Sequence, residues 1–172
     1  MDAITLLKDD HKTVEKLFKQ FEKLGPNGDA TKKRQLVHQM IEELAVHAHI
    51  EEQIFYPAVR SEEPDEEEQV LEALEEHHIV KWTLSELEGM DPQDERFFAK
   101  VTVLAESVRH HVKEEEGEMF PEVRKALGRK RLQELGEQLQ QAKSAAPTKP
   151  QPQAADTPSA GKGSGGKGKA KA

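Results

Sequence analysis

The chain has 172 residues and no cysteine, so it can form one domain with a real core, but neither a disulfide framework nor a thiolate metal site. A bound metal would have to be held by nitrogen and oxygen, as iron, manganese or zinc can be. The net charge of −8 is uneven: from Lys143 onward six lysines stand against Asp156 alone, a sum of +5 that leaves −13 on the preceding body and argues against nucleic acid or an anionic membrane as its partner.

Few aromatics among abundant Leu, Glu, Lys and Ala favour helix over sheet. Ile4, Leu7, His11, Val14, Leu17, Phe18, Phe21 and Leu24 recur at steps of three and four, which predicts a helix with one buried stripe and His11 in its middle. Asp2 reads as its N-cap and Gly25-Pro26-Asn27-Gly28 as its stop. A second helix starts near Asp29 or Thr31, and Pro57 is expected to kink or end it. After a loop through Pro64, Asp65 marks a third helix whose seam runs Val70, Leu74, His77, Val80, Leu84, Leu87. Asp91-Pro92 reads as N-cap and first position of a fourth helix that ends at Gly128, and Arg131 to Ala142 as a short C-terminal helix. From Ser144 on, Pro, Ala, Gly and Lys without large apolar side chains predict disorder. The expected organisation is an all-α, up-down-up-down four-helix bundle over residues 1–142 and a disordered tail over 143–172. Residues Met1 to Asp10 lack the basic and apolar regions of an export signal, and no apolar run is long enough to span a bilayer, so a cytoplasmic location and no membrane partner are expected.

The second and fourth helices carry the same motif, H-x3-E-E-x4-P, as His47 to Pro57 and again sixty-four residues later as His111 to Pro121. Upstream, Val37, Met40 and Leu44 answer Val101, Leu104 and Val108, and the third helix repeats the first at an offset of sixty-six, with His77 answering His11. The bundle thus reads as a duplicated helical hairpin. In each motif the places where the apolar seam should continue hold a histidine and, one turn on, a glutamate. At 1.5 Å per residue, counted from the shared loop end, His11, His47, His77 and His111 lie within about two helical turns of one level. Six inward polar groups, these four with Glu51 and Glu115, would be severely costly to bury without a cation, so they are the metal-ligand candidates. A single histidine on an apolar face is more often a hydrogen-bonded core residue; four at one level are not. His49, His78 and His110 fall beside the seam and His38 on the rim. Glu52 and Glu116 are placed to orient a ligand imidazole, while Glu66 to Glu68 and Glu114 read as solvated faces.

Asp-His11, the two H-x3-E-E-x4-P motifs and Glu-His77 together resemble the hemerythrin-like, or HHE, cation-binding domain over about residues 3 to 127. The resemblance implies a non-haem centre of two iron ions with an oxo or hydroxo bridge, terminal ligands His11, His47, His77 and His111, and bridging Glu51 and Glu115. It also implies a small diatomic gas, peroxide or iron itself as the partner. Oxygen-carrying members place two histidines four apart on the third helix; here those places are Ala73 and Lys81, which leaves one iron short of a protein ligand and open to an exchangeable water. Lys81 reads as a snorkelling surface lysine or as a contact to a bound anion. A ferritin-like di-iron oxidase would need Glu-x-x-His on two helices and a zinc hydrolase H-E-x-x-H, and neither pattern falls on the seam. The remaining alternative is a mononuclear or zinc-binding interaction module whose basic tail contacts an acidic partner, or nucleic acid weakly.

Overall fold

The computed structural model describes residues 1–151; of the tail expected to be disordered over 143–172, Lys143 closes the last helix and Ala146 packs against the core, and 152–172 lies outside the described residues. Helix α1, Ala3–Leu24, begins where the Asp2 carboxylate accepts the Thr5 backbone N–H at 2.9 Å and stops at Gly25, whose φ of 70° a side chain would resist. Helix α2, Ala30–Ile50, is capped in the same way by Asp29, which accepts the Lys32 N–H at 2.8 Å. Beyond the short α3, Tyr56–Glu62, and a 3-10 turn at Pro64–Glu66, come α4, Glu67–Glu88, and α5, Phe97–Glu114. Helix α6, Phe120–Lys143, is broken at Gly128, with φ 69°.

Each seam faces two neighbours: α1 packs on α2 and α5, and α4 on the same two, which closes an up-down-up-down ring. The first arm of α6 follows α5 through the π turn Glu115–Met119; after Gly128 the second arm packs on α1. There Gly136 is so close to the amino terminus that an added Cβ would come within 2.9 Å of the Ala3 nitrogen. The core is in two parts. Val14, Phe18, Met40, Leu84, Phe97 and Leu104 belong to one, at the end where α1 meets α2. Leu7, Ile50, Phe55, Phe120, Leu132 and Leu139 belong to the other, at the end that α6 covers. Along each bundle helix the buried seam histidine lies in sequence between the two parts. Among the described residues no helix is long and apolar enough to cross a membrane.

Three local expectations are corrected. The fourth bundle helix begins at Phe97, because the Asp91 and Asp94 carboxylates accept the N–H groups of Gln93 and Arg96 and hold the chain in turns that compete with helix. The third begins at Glu67, with Asp65 in the preceding 3-10 turn. Pro57 does not end the helical path: the chain widens into a π-helical turn over Glu51–Phe55, in which the Tyr56 N–H reaches the Glu51 carbonyl, and Pro57 then sits in the first turn of α3. A second π turn, Glu115–Met119, precedes Pro121 in the same manner.

Candidate metal centre

All six candidates meet in one buried layer: His11, His47, His77 and His111 are 4–6% exposed, Glu51 0% and Glu115 1%. Donor atoms of His11, His47, Glu51 and Glu115 lie within 4.8 Å of one another, as do those of Glu51, His77 and His111. Glu51 belongs to both groups, its Oε2 lying 3.2 Å from His47 Nε2 and 3.3 Å from His77 Nε2. Glu115 also spans both, with Oε2 at 3.2 Å from His11 Nε2 and 3.5 Å from His111 Nε2.

The outer nitrogen of every ring is turned to a carboxylate. His11 Nδ1 faces Glu116 at 2.9 Å, His47 Nδ1 faces Asp10 at 3.4 Å, His77 Nδ1 faces Glu52 at 3.0 Å and His111 Nδ1 faces Glu76 at 2.5 Å. An ionised carboxylate only accepts, so each Nδ1 carries a hydrogen and each neutral ring presents an Nε2 lone pair to the centre. The Nε2 atoms of His77 and His111 stand 3.1 Å apart with nothing but lone pairs between them unless one is protonated.

Burial holds the His47 imidazole down to about 4 against the pull of Asp10. At His11 and His111 burial works in the same sense, but Glu115 and the outer carboxylates outweigh it and both are raised. Burial and the charge of Glu115 push Glu51 well up, whereas Glu115, in spite of burial, is held low by His111 and His11. The metal-free layer therefore needs protons to balance its carboxylates, and a cation would displace them. His11 Nε2, His47 Nε2, Glu51 Oε1 and Glu115 Oε2 are buried without a hydrogen-bond partner, although carboxylate oxygens lie near the two imidazoles. Such orphaned donors and acceptors in a native interior call for an ion. A nitrogen and oxygen donor set of this kind fits iron, manganese or zinc.

A residue outside the six also faces the centre. The Tyr56 hydroxyl donates to Glu115 Oε1 at 2.7 Å and stands 3.3 and 3.4 Å from the Nε2 atoms of His77 and His111. Burial and the charges of Glu115 and Glu51 raise its pKa well above the ordinary phenol value, so it holds its proton. The π turn puts it there: one extra residue between Glu51 and Tyr56 brings the fifth residue on, not the fourth, back over the glutamate.

The comparisons with known proteins give the family. A family model described as the hemerythrin HHE cation binding domain matches residues 2–123. The chain belongs to that family. The fold of this hemerythrin-like domain also matches the crystal structure of an HHE cation binding domain-containing protein from Mycobacterium kansasii, at a TM-score of 0.68 and 22% identity over 84% of this chain and 89% of that one. A DNA nickase of Nostoc sp. is 28% identical over 144 residues, 84% of this chain; the chain spans 40% of that relative's length. An uncharacterized hemerythrin-like protein of Schizosaccharomyces pombe is 25% identical over 150 residues, 87% of this chain and 72% of the relative.

Glu52 and Glu116 orient imidazoles as expected from their places beside the seam, but Asp10 and Glu76, which do the same for His47 and His111, were not foreseen. The signal was present, since each directly precedes a seam histidine at the sixty-six-residue repeat. Lys81 is neither a surface lysine nor a contact into the centre: 5% exposed, it bonds both oxygens of Glu52 at 2.8 and 2.9 Å. Glu66, expected to be solvated, is 7% exposed with Oε2 unpartnered, and Glu114 pairs with the exposed His110 at 3.1 Å. His49 is half-buried and His38 exposed, and neither joins the layer.

Proposed function

We propose that this domain holds two iron ions, one among His11, His47, Glu51 and Glu115 and one at His77 and His111 with the same two glutamates shared, and that the pair binds or senses oxygen, nitric oxide or peroxide. The observation that carries the reading is the convergence of four imidazole lone pairs and two carboxylates, several of their atoms orphaned, in two overlapping sets joined through Glu51. When bound, the iron pair would supply reversible electron exchange with a small oxidant.

The chain's own part is positional and protic. Carboxylates fix every ring in one tautomer, and the two cores keep bulk water from the layer. On the side that the sequence leaves without a fifth histidine, Tyr56 holds a proton at its hydroxyl beside Glu115. A groove of about 350 Å³ between α1 and α5, walled by Val14, Phe18, Val108 and Val112, reaches His11, a path suited to a small neutral molecule. The nicking activity named for the Nostoc relative belongs to a protein of which this chain spans two fifths, and a body of −13 is poorly suited to a phosphate backbone.

The test is anaerobic ferrous reconstitution of the metal-free protein, with iron counted per chain and the absorption spectrum followed as oxygen, nitric oxide or peroxide is admitted. Two ions per chain and a spectral response to at least one of these are expected. A preference for zinc with one ion per chain would refute the di-iron reading. Iron that binds and leaves without any response would turn it toward iron buffering.

A further inference from the structure

We propose that Glu76, His110 and Glu114 form a surface site that captures a ferrous ion and hands it to the buried layer through the cavity behind them. The inference rests on the iron reading above. His110 Nε2 lies 3.7 Å from Glu76 Oε1 and 3.1 Å from Glu114 Oε1, and one ligand atom from each of the three falls within 4.8 Å of the others. His110 and Glu114 repeat the i, i+4 spacing of His111 and Glu115 one residue earlier, so the same helix offers one His–Glu pair to the interior and a second to solvent. The His110 side chain is 63% exposed, as a capturing ligand must be.

Behind this cluster lies a polar cavity of about 60 Å³, room for one or two waters or a partly hydrated ion. Glu72, Glu76, Glu114 and Glu118 line it on the outer side, and His111 and Glu115 of the buried layer line it as well. Glu115 is 1% exposed and its Oε2 has no hydrogen-bond partner, so a residue with an unsatisfied buried acceptor lines the inner wall. Glu76 belongs to both levels, with Oε2 on His111 Nδ1 and Oε1 toward His110.

The four carboxylates that orient the ligand rings differ in what holds them from outside. Lys8 pairs with Glu116, Lys81 with Glu52 and Lys143 with Asp10, each a fixed positive charge that repels a cation. At Glu76 the corresponding partner is His110, whose neutral ring can bind one. Buried Glu66, which has Glu118 of this cavity among its neighbours, is raised above the usual carboxylate range, by burial first and by the charges of Glu122, Glu63, Asp65 and Glu118 next. The apolar groove beside His11 therefore suits the neutral ligand and this acidic cavity the metal.

Anaerobic stopped-flow uptake of ferrous ion by the metal-free protein tests the site, at iron below saturation, with iron per chain counted at completion. His110→Ala/Glu114→Gln should load about tenfold more slowly, the loss expected when a focusing cation site is removed, and still reach the wild-type iron content and Tm. His38→Ala/Glu42→Gln removes an exposed His–Glu pair with 3.9 Å separation at a distant place and should load as the wild type does. Equal rates in all three proteins, or equal slowing in both variants, would overturn the loading site and leave the buried centre standing. A wild-type protein that takes up no iron would overturn both. As a direct check on the folded wild type with its buried layer already filled by zinc, Mn²⁺ should broaden the His110 ring proton resonances before those of His38, and broadening of neither would also overturn the site.

Discussion

Around His11 and His47 the inner wall of the centre is Phe120, its ring stacked on His11 with centroids 6.0 Å apart and planes 4° from parallel. Around His77 and His111 the equivalent place belongs to Tyr56, tilted against His77 at 5.4 Å and carrying a hydroxyl toward Glu115. Both residues stand nine positions after the histidine of their motif and both are placed by a π turn before a proline. Duplication has thus placed two histidines in each half, and the hydroxyl oxygen of Tyr56 sets the two walls apart. The first half is walled by a hydrocarbon ring next to an apolar groove; the second holds a proton donor next to an acidic cavity. If two ions are held as proposed, like pairs of histidines behind unlike walls would let the two be treated differently.

The largest effect should come from removing what the halves share. Glu51→Gln is expected to abolish nearly all iron binding, whereas His77→Ala should retain about one ion per chain, because binding energy at each half depends on its own ligands. Metal analysis after reconstitution checks this, and equal loss in both variants would break the division into halves. Next, Lys81→Met strands the Glu52 carboxylate behind His77. Loss of a partner from a fully buried pair costs about 3–5 kcal/mol, and with Glu52 partly exposed about 2 kcal/mol is expected in denaturant unfolding of the metal-free protein.

Tyr56→Phe makes the second half like the first and removes the donor to Glu115. About 1 kcal/mol of stability should be lost, with iron content preserved and the spectral response to oxidants altered. Unchanged stability and spectra would show that the hydroxyl does not distinguish the halves. The smallest effect concerns Arg109, which ties α5 to α1 through Glu15 at 2.8 Å and Glu22 at 2.7 Å beside the groove. These groups are more than a third exposed or close to it, so Arg109→Ala should cost less than about 1 kcal/mol. Arg109 is the main reason that the Glu15 carboxyl titrates below its ordinary value of 4.5, against the opposing effect of burial. A depressed acid contributes stability above its unfolded pKa and loses it as pH falls through the folded one. The difference between wild type and Arg109→Ala should therefore be full at neutral pH and shrink below about pH 4. A difference that grows on acidification would contradict the pairing.

Much of this molecule could be read from periodicity. The stripe from Ile4 to Phe21, the seam from Val70 to Leu87 and the breaks at Gly25 and Gly128 are local properties of the chain, and the six inward ligand candidates stood out because polar residues interrupt apolar seams at a repeated offset. Glu66 escaped because an acidic run reads as solvated until the neighbouring helices cover it. The start of α5 escaped because Asp91 and Asp94 favour caps and turns alike, and only the path of the loop decides between them.

The sequence by itself determined the helices, the duplication and the identity of the groups that point inward, since each follows from spacing along a single helix. Tertiary structure alone decided which carboxylate meets which imidazole: Glu116 reaches back to His11 and Glu52 across to His77, pairings set by the relative height of two helices that no single helix encodes. It also decided the place of Tyr56. A period of 3.6 residues carried forward from Glu51 favours Phe55, and the π turn before Pro57 shifts the register by one residue, so the hydroxyl and not the hydrocarbon ring enters the centre.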